Sequence, residues 1–335
     1  MLYVEASGSA FGKLPRGAQI VAINGDSVAT AGVTQAQFDA LFPSEAGGTV
    51  TLSVQDQPGS VKHDLQLENK PVLIDPVNEH KVLAGGKTGY LHYTDFVTPS
   101  GEQGLIQAFQ GFRQAGVTDL VVDLRYNGGG YLYIASELGY MVAGATQTVD
   151  KTFEQLTFND KRSDENWAVP FLGMRLDDIL AGEGPLLPAL DLKRIFVLAS
   201  ANTCSASESF ISALRGIDVE VVLVGGSTCG KPYGFSQKDN CALSYFALEF
   251  EGRNDKGEVF PVTGITPTCQ AADDLSHPLG DPAEAMLAAA LTYRDTGACP
   301  SSAVGMAERE HAASASRASG VLGRSPLRSN KLLRH

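Results

Sequence analysis

A serine within a run of small residues and a lysine one strand further along are the side chains best suited to catalysis in this sequence. Ser205 follows the apolar stretch 195–199 and precedes a helical pattern. At such a strand-to-helix turn the serine hydroxyl is exposed and the next amides point outward, as a nucleophile elbow requires. Serine needs a base, and Lys231 lies between a glycine and a proline just beyond a second apolar stretch. If this lysine is buried, its pKa falls and its neutral amine can accept the serine proton.

A glycine-rich loop is the second candidate feature. Residues 121–130 read Val-Val-Asp-Leu-Arg-Tyr-Asn-Gly-Gly-Gly, and a helical pattern follows. Glycines let backbone N–H groups face a ligand without a Cβ in the way, and a helix N-terminus adds positive potential. Such a loop suits a phosphate or the oxyanion of acyl transfer, or it is only a tight turn. The sequence has neither GxxxxGK[ST] nor GxGxxG here, so a nucleotide site is the weaker interpretation.

Other catalytic and metal centres have little support. The six histidines are scattered and none lies in a glycine- or serine-rich context, so nothing marks a Ser-His-Asp triad. No serine has a lysine three positions later, as the SxxK arrangement requires. The five cysteines form no CxxC pair and no Cys/His pairing with zinc spacing. We therefore expect neither a metal nor another cofactor.

Four segments resemble motifs of the C-terminal processing (tail-specific) peptidases. Residues 203–208, Thr-Cys-Ser-Ala-Ser-Glu, resemble the TASASE motif, and residues 225–231 resemble the GxxTxGK motif. Residues 123–130 resemble the DLRxNxGG segment, and 264–267 are similar to the GxxPD element, although Thr268 replaces its acid. The four occur in the family's order and spacing. The resemblance implies a serine peptidase with an α/β core related to ClpP and crotonase, often preceded by a PDZ domain.

The resemblance also implies roles for individual residues. The matched positions are Ser205 as nucleophile, Lys231 as general base, the amide of Ala206 with one from Gly128 or Gly129 as oxyanion donors, Thr228 as a residue that orients the lysine, and Glu208 and Arg125 as structural braces. One departure concerns the third catalytic partner. Many members carry glutamine four residues after the lysine, where this sequence has Phe235, and Gln237 is out of register. The third member therefore stays open.

The first part of the chain resembles a PDZ domain entered midway. Residues 14–25 are similar to the LxxGDxIxxING stretch, with Ala18 in place of the aspartate. The carboxylate-binding loop and its strand normally come earlier, so we expect an incomplete peptide groove. We expect the chain to begin inside this domain, which would also explain why no signal peptide is visible.

The order of predicted elements gives the domain plan. Residues 1–70 alternate short apolar stretches with turns and form the partial PDZ-like α+β domain, and 71–87 are expected to be a linker. From 88 to 299, strands alternate with helices, which predicts an α/β catalytic core. Residues 300–335 are rich in Ser, Ala and Arg and are expected to be a disordered tail. The predicted core elements are strands at 119–124, 194–199 and 219–224 and helices at 100–116, 131–142, 208–214 and 281–296.

Charge and hydropathy exclude two classes of partner. The net charge of the 335 residues is −12, and an acidic body repels phosphate backbones, so we expect no nucleic acid partner. No uncharged apolar run approaches the roughly 18 residues of a membrane span. We expect protein or peptide substrates, with oligomeric state left open.

The cysteines bear on location. Cys229 and Cys241 flank a turn rich in glycine and proline, while Cys269 and Cys299 bracket the last predicted helix. Several pairings are open, and buried free thiols are the alternative. We predict a Cys229–Cys241 bridge with Cys204 free. Disulfides form outside the cytosol, so we expect a periplasmic or secreted protein.

The predicted function is serine endopeptidase activity on protein substrates through a Ser-Lys dyad and an acyl-enzyme. The alternative is a catalytically silent module that keeps the fold to bind peptides or other ligands. Crotonase-like acyl-CoA chemistry would also use the glycine-turn amides, but it gives no reason for Ser205 together with Lys231.

Overall fold

A computed structural model gives the fold of most of the chain. The residues that it describes are 1–28, 32–43, 45–57, 59–241, 243–301 and 331–332.

A small antiparallel sheet and one helix form the N-terminal unit. The sheet order is β2-β1-β3-β4, and its elements in chain order are β1 (Gln19–Ile23), β2 (Asp26–Ser27), α1 (Gln35–Leu41), β3 (Thr49–Gln55) and β4 (His63–Glu68). Asn24 and Gly25 both have positive φ in the turn between β1 and β2, as the Asn-Gly pair predicts. Thr34 caps α1 and accepts a hydrogen bond from the Gln37 amide.

A six-stranded sheet forms the centre of the core. In sheet order its strands are β17 (Cys269–Gln270), β12 (Glu220–Gly225), β11 (Arg194–Ala199), β7 (Asp119–Asp123), β6 (Thr88–Tyr93) and β5 (Val77–Val82). Neighbouring strands are parallel except β5 and β6, which are antiparallel. Strand β5 lies within the expected linker 71–87. It is an edge strand with a mostly polar sequence, Val-Asn-Glu-His-Lys-Val, so it lacks the apolar run of the inner strands.

Helices cover both faces of this sheet. The helices are α2 (Ser100–Ala115), α3 (Leu132–Thr148), α4 (Leu176–Ala181), α5 (Ala206–Gly216) and α6 (Ala285–Thr296). Side chains alternate along β11: Ile195 and Val197 pack in the cluster with α2, α3 and α5, while Phe196 and Leu198 pack in the cluster with α6. Burial on both faces explains the continuous apolar sequence of the inner strands. The mixed α/β class is confirmed.

The remaining strands were not predicted. A second, antiparallel sheet has the order β10 (Trp167–Pro170), β9 (Thr152–Phe158), β16 (Phe250–Arg253), β13 (Tyr233–Gly234). Two small pairs complete the described strands: β14 (Lys238–Asn240) with β15 (Leu243–Tyr245), and β8 (Gly130–Tyr131) with β18 (Lys331–Leu332). Most of the expected disordered tail, 302–330 and 333–335, lies outside the described residues. Within the described parts of the chain, no helix has the length and apolar character needed to cross a membrane.

Candidate active site

Three neighbouring parallel strands end at one edge of the core sheet and carry the candidate groups. The glycine loop follows β7, Ser205 follows β11, and Lys231 follows β12. Because the carboxyl ends of parallel strands meet at the same edge, residues far apart in sequence are brought together there.

The backbone of Ser205 has an uncommon conformation. Its φ is 61° and its ψ is −114°, although it is not a glycine. Positive φ is costly for residues with a Cβ, and such outliers cluster at functional sites. The sequence pattern predicts an exposed serine hydroxyl, but Ser205 is fully buried. Its Oγ has no hydrogen-bond partner in the described part of the chain. The turn therefore holds a hydroxyl that no structural hydrogen bond uses.

The glycine loop packs directly on this turn. Gly129 has a φ of 102°, and a Cβ there would come within 2.9 Å of the Ser205 Cβ and 3.0 Å of the Ala206 nitrogen. Only glycine allows this approach. The Gly129 amide donates to the Asn127 Oδ1 at 2.9 Å, so it is already engaged. The amides of Gly128 and Ala206, by contrast, have no partner among the described residues.

The side chain of Glu208 joins the serine turn to the lysine loop. Its Oε2 accepts hydrogen bonds from the amides of Ser205 and Lys231, both at 2.9 Å. Its Oε1 accepts from the Gly230 amide at 2.8 Å and from the Thr228 hydroxyl at 2.5 Å. The carboxylate is fully buried. Because one oxygen binds both amides, the backbone nitrogens of Ser205 and Lys231 lie within twice 2.9 Å of each other.

Thr228 supports the lysine loop through hydrogen bonds with Glu208 and Ile265. Its hydroxyl donates to Glu208 and accepts from the Ile265 amide at 2.7 Å, and in the described part of the chain it makes no hydrogen bond to the Lys231 side chain. Gly264 precedes Ile265 with a φ of 91°, and a Cβ there would lie 2.0 Å from the Thr228 carbonyl oxygen. The segment 264–267, noted in the sequence, thus supports the loop that carries the base.

The Lys231 side chain is only partly buried and lies against an aromatic ring. Its Nζ is 4.8 Å from the centroid of the Phe235 ring, a cation–π distance. It makes no hydrogen bond with the Ser205 Oγ in the described structure. Gln237 donates to Asp239 and Ser244.

The disulfides differ from the prediction. The bridges are Cys204–Cys229 and Cys269–Cys299, and Cys241 is free and exposed, so the predicted Cys229–Cys241 bridge with a free Cys204 is wrong. The reason is topological. Strands β11 and β12 are parallel neighbours, so the residues that follow their ends lie side by side, with a Cα–Cα distance of 5.2 Å for the first bridge. The bridge links the residue before the serine to the loop that carries the lysine.

Arg125 is fully buried in an acidic cluster below the glycine loop. It contacts Asp123 and Glu284 at 2.9 Å and Asp273 at 2.8 Å. Burial by itself would lower the pKa of Arg125, but Asp123 and Glu284 outweigh it and raise that pKa. Asp273 also binds Arg16, so the cluster ties the N-terminal unit to the core.

Asn127 has a role in the glycine loop that was not predicted. Its Oδ1 engages the Gly129 amide, and its carbonyl oxygen accepts from the Cys204 amide at 3.1 Å. Asparagine before a glycine run is a turn signal that was available in the sequence. Among the described residues, the Gly128 amide and not the Gly129 amide is therefore left without a partner in this loop.

Comparison with known proteins shows the family of this chain. The model of peptidase family S41 matches residues 87–269. The chain belongs to peptidase family S41. It is a serine-type peptidase with the mixed α/β fold of that family.

Two solved structures are similar to this chain over most of its length. A protein from Bacteroides fragilis NCTC 9343 described as an S41 protease is similar over 89% of this chain and 78% of its own, at 27% identity and a TM-score of 0.70. The photosystem II D1 C-terminal processing protease matches 81% of this chain and 67% of its own at 21% identity, with a TM-score of 0.48. No curated protein matches the chain.

Proposed function

We propose that this S41 peptidase is an endopeptidase that cleaves protein substrates through Ser205 and Lys231 by way of an acyl-enzyme. The observation that carries the proposal is the shared Glu208 carboxylate. It binds the amides of both residues, while the strained serine turn packs on the glycine loop. A buried charge that accepts several hydrogen bonds is a rigid positioning device.

The proposed reaction has two halves. The neutral amine of Lys231 takes the proton of Ser205, and the Oγ attacks the scissile carbonyl carbon. The amides of Ala206 and Gly128 donate to the oxyanion, and each such donor is worth about 3 kcal/mol. Lys231 then gives its proton to the leaving amine, which leaves an acyl-serine ester. In the second half Lys231 takes a proton from water, the hydroxide attacks the ester, and the serine is released with its proton restored.

The lysine side chain must move for this chemistry. In the structure its Nζ lies over Phe235 and not beside Ser205. We propose that a change of the Lys231 side-chain rotamers brings the Nζ to the Oγ, since Glu208 holds the two backbones close together. In this account Glu208, Thr228 and Arg125 are positioning residues, and the reaction itself needs no metal or nucleotide.

One observation favours the alternative, a catalytically silent module on the same fold: no hydrogen bond joins the Lys231 Nζ to the Ser205 Oγ in the described structure. Hydrolysis of casein decides between them. We expect wild type to cleave casein and both Ser205→Ala and Lys231→Ala to be inactive, because residues that act as a unit lose activity together. Lys231→Arg should also be inactive, since a guanidinium stays protonated. Lys62→Arg, at an exposed position, is the matched control. An active Lys231→Arg enzyme would exclude the dyad.

We further infer a periplasmic or secreted location and a partial PDZ-like domain in residues 1–70. Two disulfides support the location, because cytosolic thiols stay reduced. The N-terminal sheet and α1 support the domain. Residues 1–70 match the PDZ pattern only from residue 14 onward, so we expect C-terminal peptides to bind this domain weakly. Fluorescence polarisation with a labelled peptide tests this, and tight binding at residues 1–70 would contradict it.

A further inference from the structure

A short strand from the end of the chain lies beside the glycine loop. Lys331 and Leu332 form β18, which pairs in parallel with β8, so that Lys331 is opposite Gly130 and Leu332 is opposite Tyr131. Strand β8 continues directly from the loop that carries the Gly128 amide. Strand β18 also lies close to β13, which begins two residues after Lys231. It therefore lies next to both sides of the candidate site.

The backbone of β8 shows which edge the strand uses. The Gly129 carbonyl oxygen accepts from the Phe96 amide, and the Tyr131 amide donates to the Phe96 carbonyl oxygen, both at 2.9 Å. Successive residues of a strand direct their N–H and C=O groups to opposite edges. The N–H and C=O of Gly130 therefore face away from Phe96, toward β18. This is the edge to which an extended peptide adds by main-chain pairing.

That edge runs past the nucleophile. Gly129 approaches Ser205 so closely that a Cβ would lie 2.9 Å from the serine Cβ, and Gly130 is the next residue. Ser205 is fully buried in this arrangement. A substrate peptide paired with Gly130 would lie where its carbonyl can reach Ser205, and β18 already takes that place.

We propose that the outer edge of β8 is a peptide-binding edge and that the chain's own segment at residues 331–332 occupies it as an intramolecular competitor of substrate. The proposal rests on the proposed function in treating this cleft as the substrate cleft. A tethered segment competes at an effective concentration on the order of millimolar, so a weak strand pairing is enough to exclude a peptide. Pairing through the backbone makes the competition largely independent of the sequence of the competing peptide.

The test uses the full chain with Ser205→Ala, so that no peptide is cut. In the observed register the Leu332 amide is the donor that can reach the Gly130 carbonyl oxygen. Leu332→Pro removes this N–H, and Leu332→Ala keeps it and is the matched control. Hydrogen–deuterium exchange of peptic fragments covering residues 126–132 reports the pairing. Fluorescence polarisation with a fluorescein-labelled peptide of residues 325–335 reports whether the edge is free.

We expect Leu332→Pro to speed exchange at Gly130 and to raise peptide affinity by about tenfold or more, because the tethered competitor is released. Leu332→Ala should stay close to the parent in both measurements. The proposal is overturned if the proline variant matches the parent, or if alanine has the same effect as proline. The difference in peptide affinity between Leu332→Pro and the parent should stay the same when the protein is diluted. If the tail came from a second molecule, dilution would release it from the parent as well, and the difference would shrink.

Neither measurement needs turnover, so the two proposals fail separately. If casein is cleaved but Leu332→Pro changes neither exchange nor affinity, the tail proposal alone is wrong. If casein is untouched while both readouts change as expected, the proposed catalysis alone is wrong.

Discussion

The Glu208 carboxylate is the group whose loss should disturb this site most. It accepts hydrogen bonds from the amides of Ser205, Gly230 and Lys231 and from the Thr228 hydroxyl, and it is fully buried. Glu208→Gln keeps the volume but leaves one acceptor oxygen and introduces an NH₂ donor. Whichever way the glutamine amide is turned, its NH₂ group faces two other donors. These are either the amides of Ser205 and Lys231, or the Gly230 amide and the Thr228 hydroxyl.

The cost follows from those two lost bonds. Hydrogen bonds to a charged group contribute about 1.5–3 kcal/mol each, and buried donors left without a partner add a desolvation penalty. We therefore expect the free energy of unfolding to fall by about 3–5 kcal/mol, the range for breaking a buried charged network. Since the affected amides position both Ser205 and Lys231, casein hydrolysis should fall by about a hundredfold or more, as small misplacements of reacting groups do.

Urea unfolding at pH 7 and casein hydrolysis measure the two effects. Glu220→Gln is the control, because it makes the same chemical change at an exposed position at the start of β12. If Glu208→Gln unfolds within about 1 kcal/mol of wild type and keeps its activity, the carboxylate does not hold the site together, and the reasoning from its hydrogen bonds is wrong.

Three further predictions concern stability. Peptide mapping without reductant should find the Cys204–Cys229 pair with Cys241 alkylated, and alkylated Cys204 and Cys229 would contradict this. Replacing both bridged cysteines with alanine should lower the free energy of unfolding by about 3.5 kcal/mol, from the entropy of a loop with a sequence separation of 25. Burial lowers the pKa of His92 to about 4. When the pH falls below the ordinary histidine pKa, the unfolded state binds a proton that the folded state does not, so the free energy of unfolding falls by up to about 3 kcal/mol between pH 7 and pH 4. His92→Gln should reduce this loss in urea titrations. Burial and a neighbouring carboxyl raise the pKa of Glu137, so the folded state keeps a proton that the unfolded state releases, and stability falls as the pH rises. Glu137→Gln should raise the free energy of unfolding at pH 8 by about 1–2 kcal/mol, which shifts the urea midpoint upward. An unchanged midpoint would refute the assignment.

Much of the core could be predicted because its signals are local. Strands β7, β11 and β12 are short apolar runs, and helix α5 between β11 and β12 has a periodic apolar face. Ser205 and Lys231 follow such strands, so their meeting at one sheet edge needed only the rule for parallel strands.

The features that were missed depend on contacts between distant segments. The Cys204–Cys229 bridge requires knowing that β11 and β12 are neighbours, whereas the prediction paired cysteines by closeness in sequence. Strand β5 is an edge strand whose polar residues hide its period. The position of the Lys231 side chain over Phe235 is set by packing, which motif spacing does not encode.

The most direct test of the central claim is to label the full chain with a small fluorophosphonate and to locate the adduct by peptide mass spectrometry. We expect one adduct on Ser205 in wild type, none there in Ser205→Ala, and strongly reduced labelling in Lys231→Ala, because the serine hydroxyl must give its proton to the lysine amine. Labelling of Lys231→Ala at the wild-type rate, or casein hydrolysis with the adduct on another residue, would contradict the account.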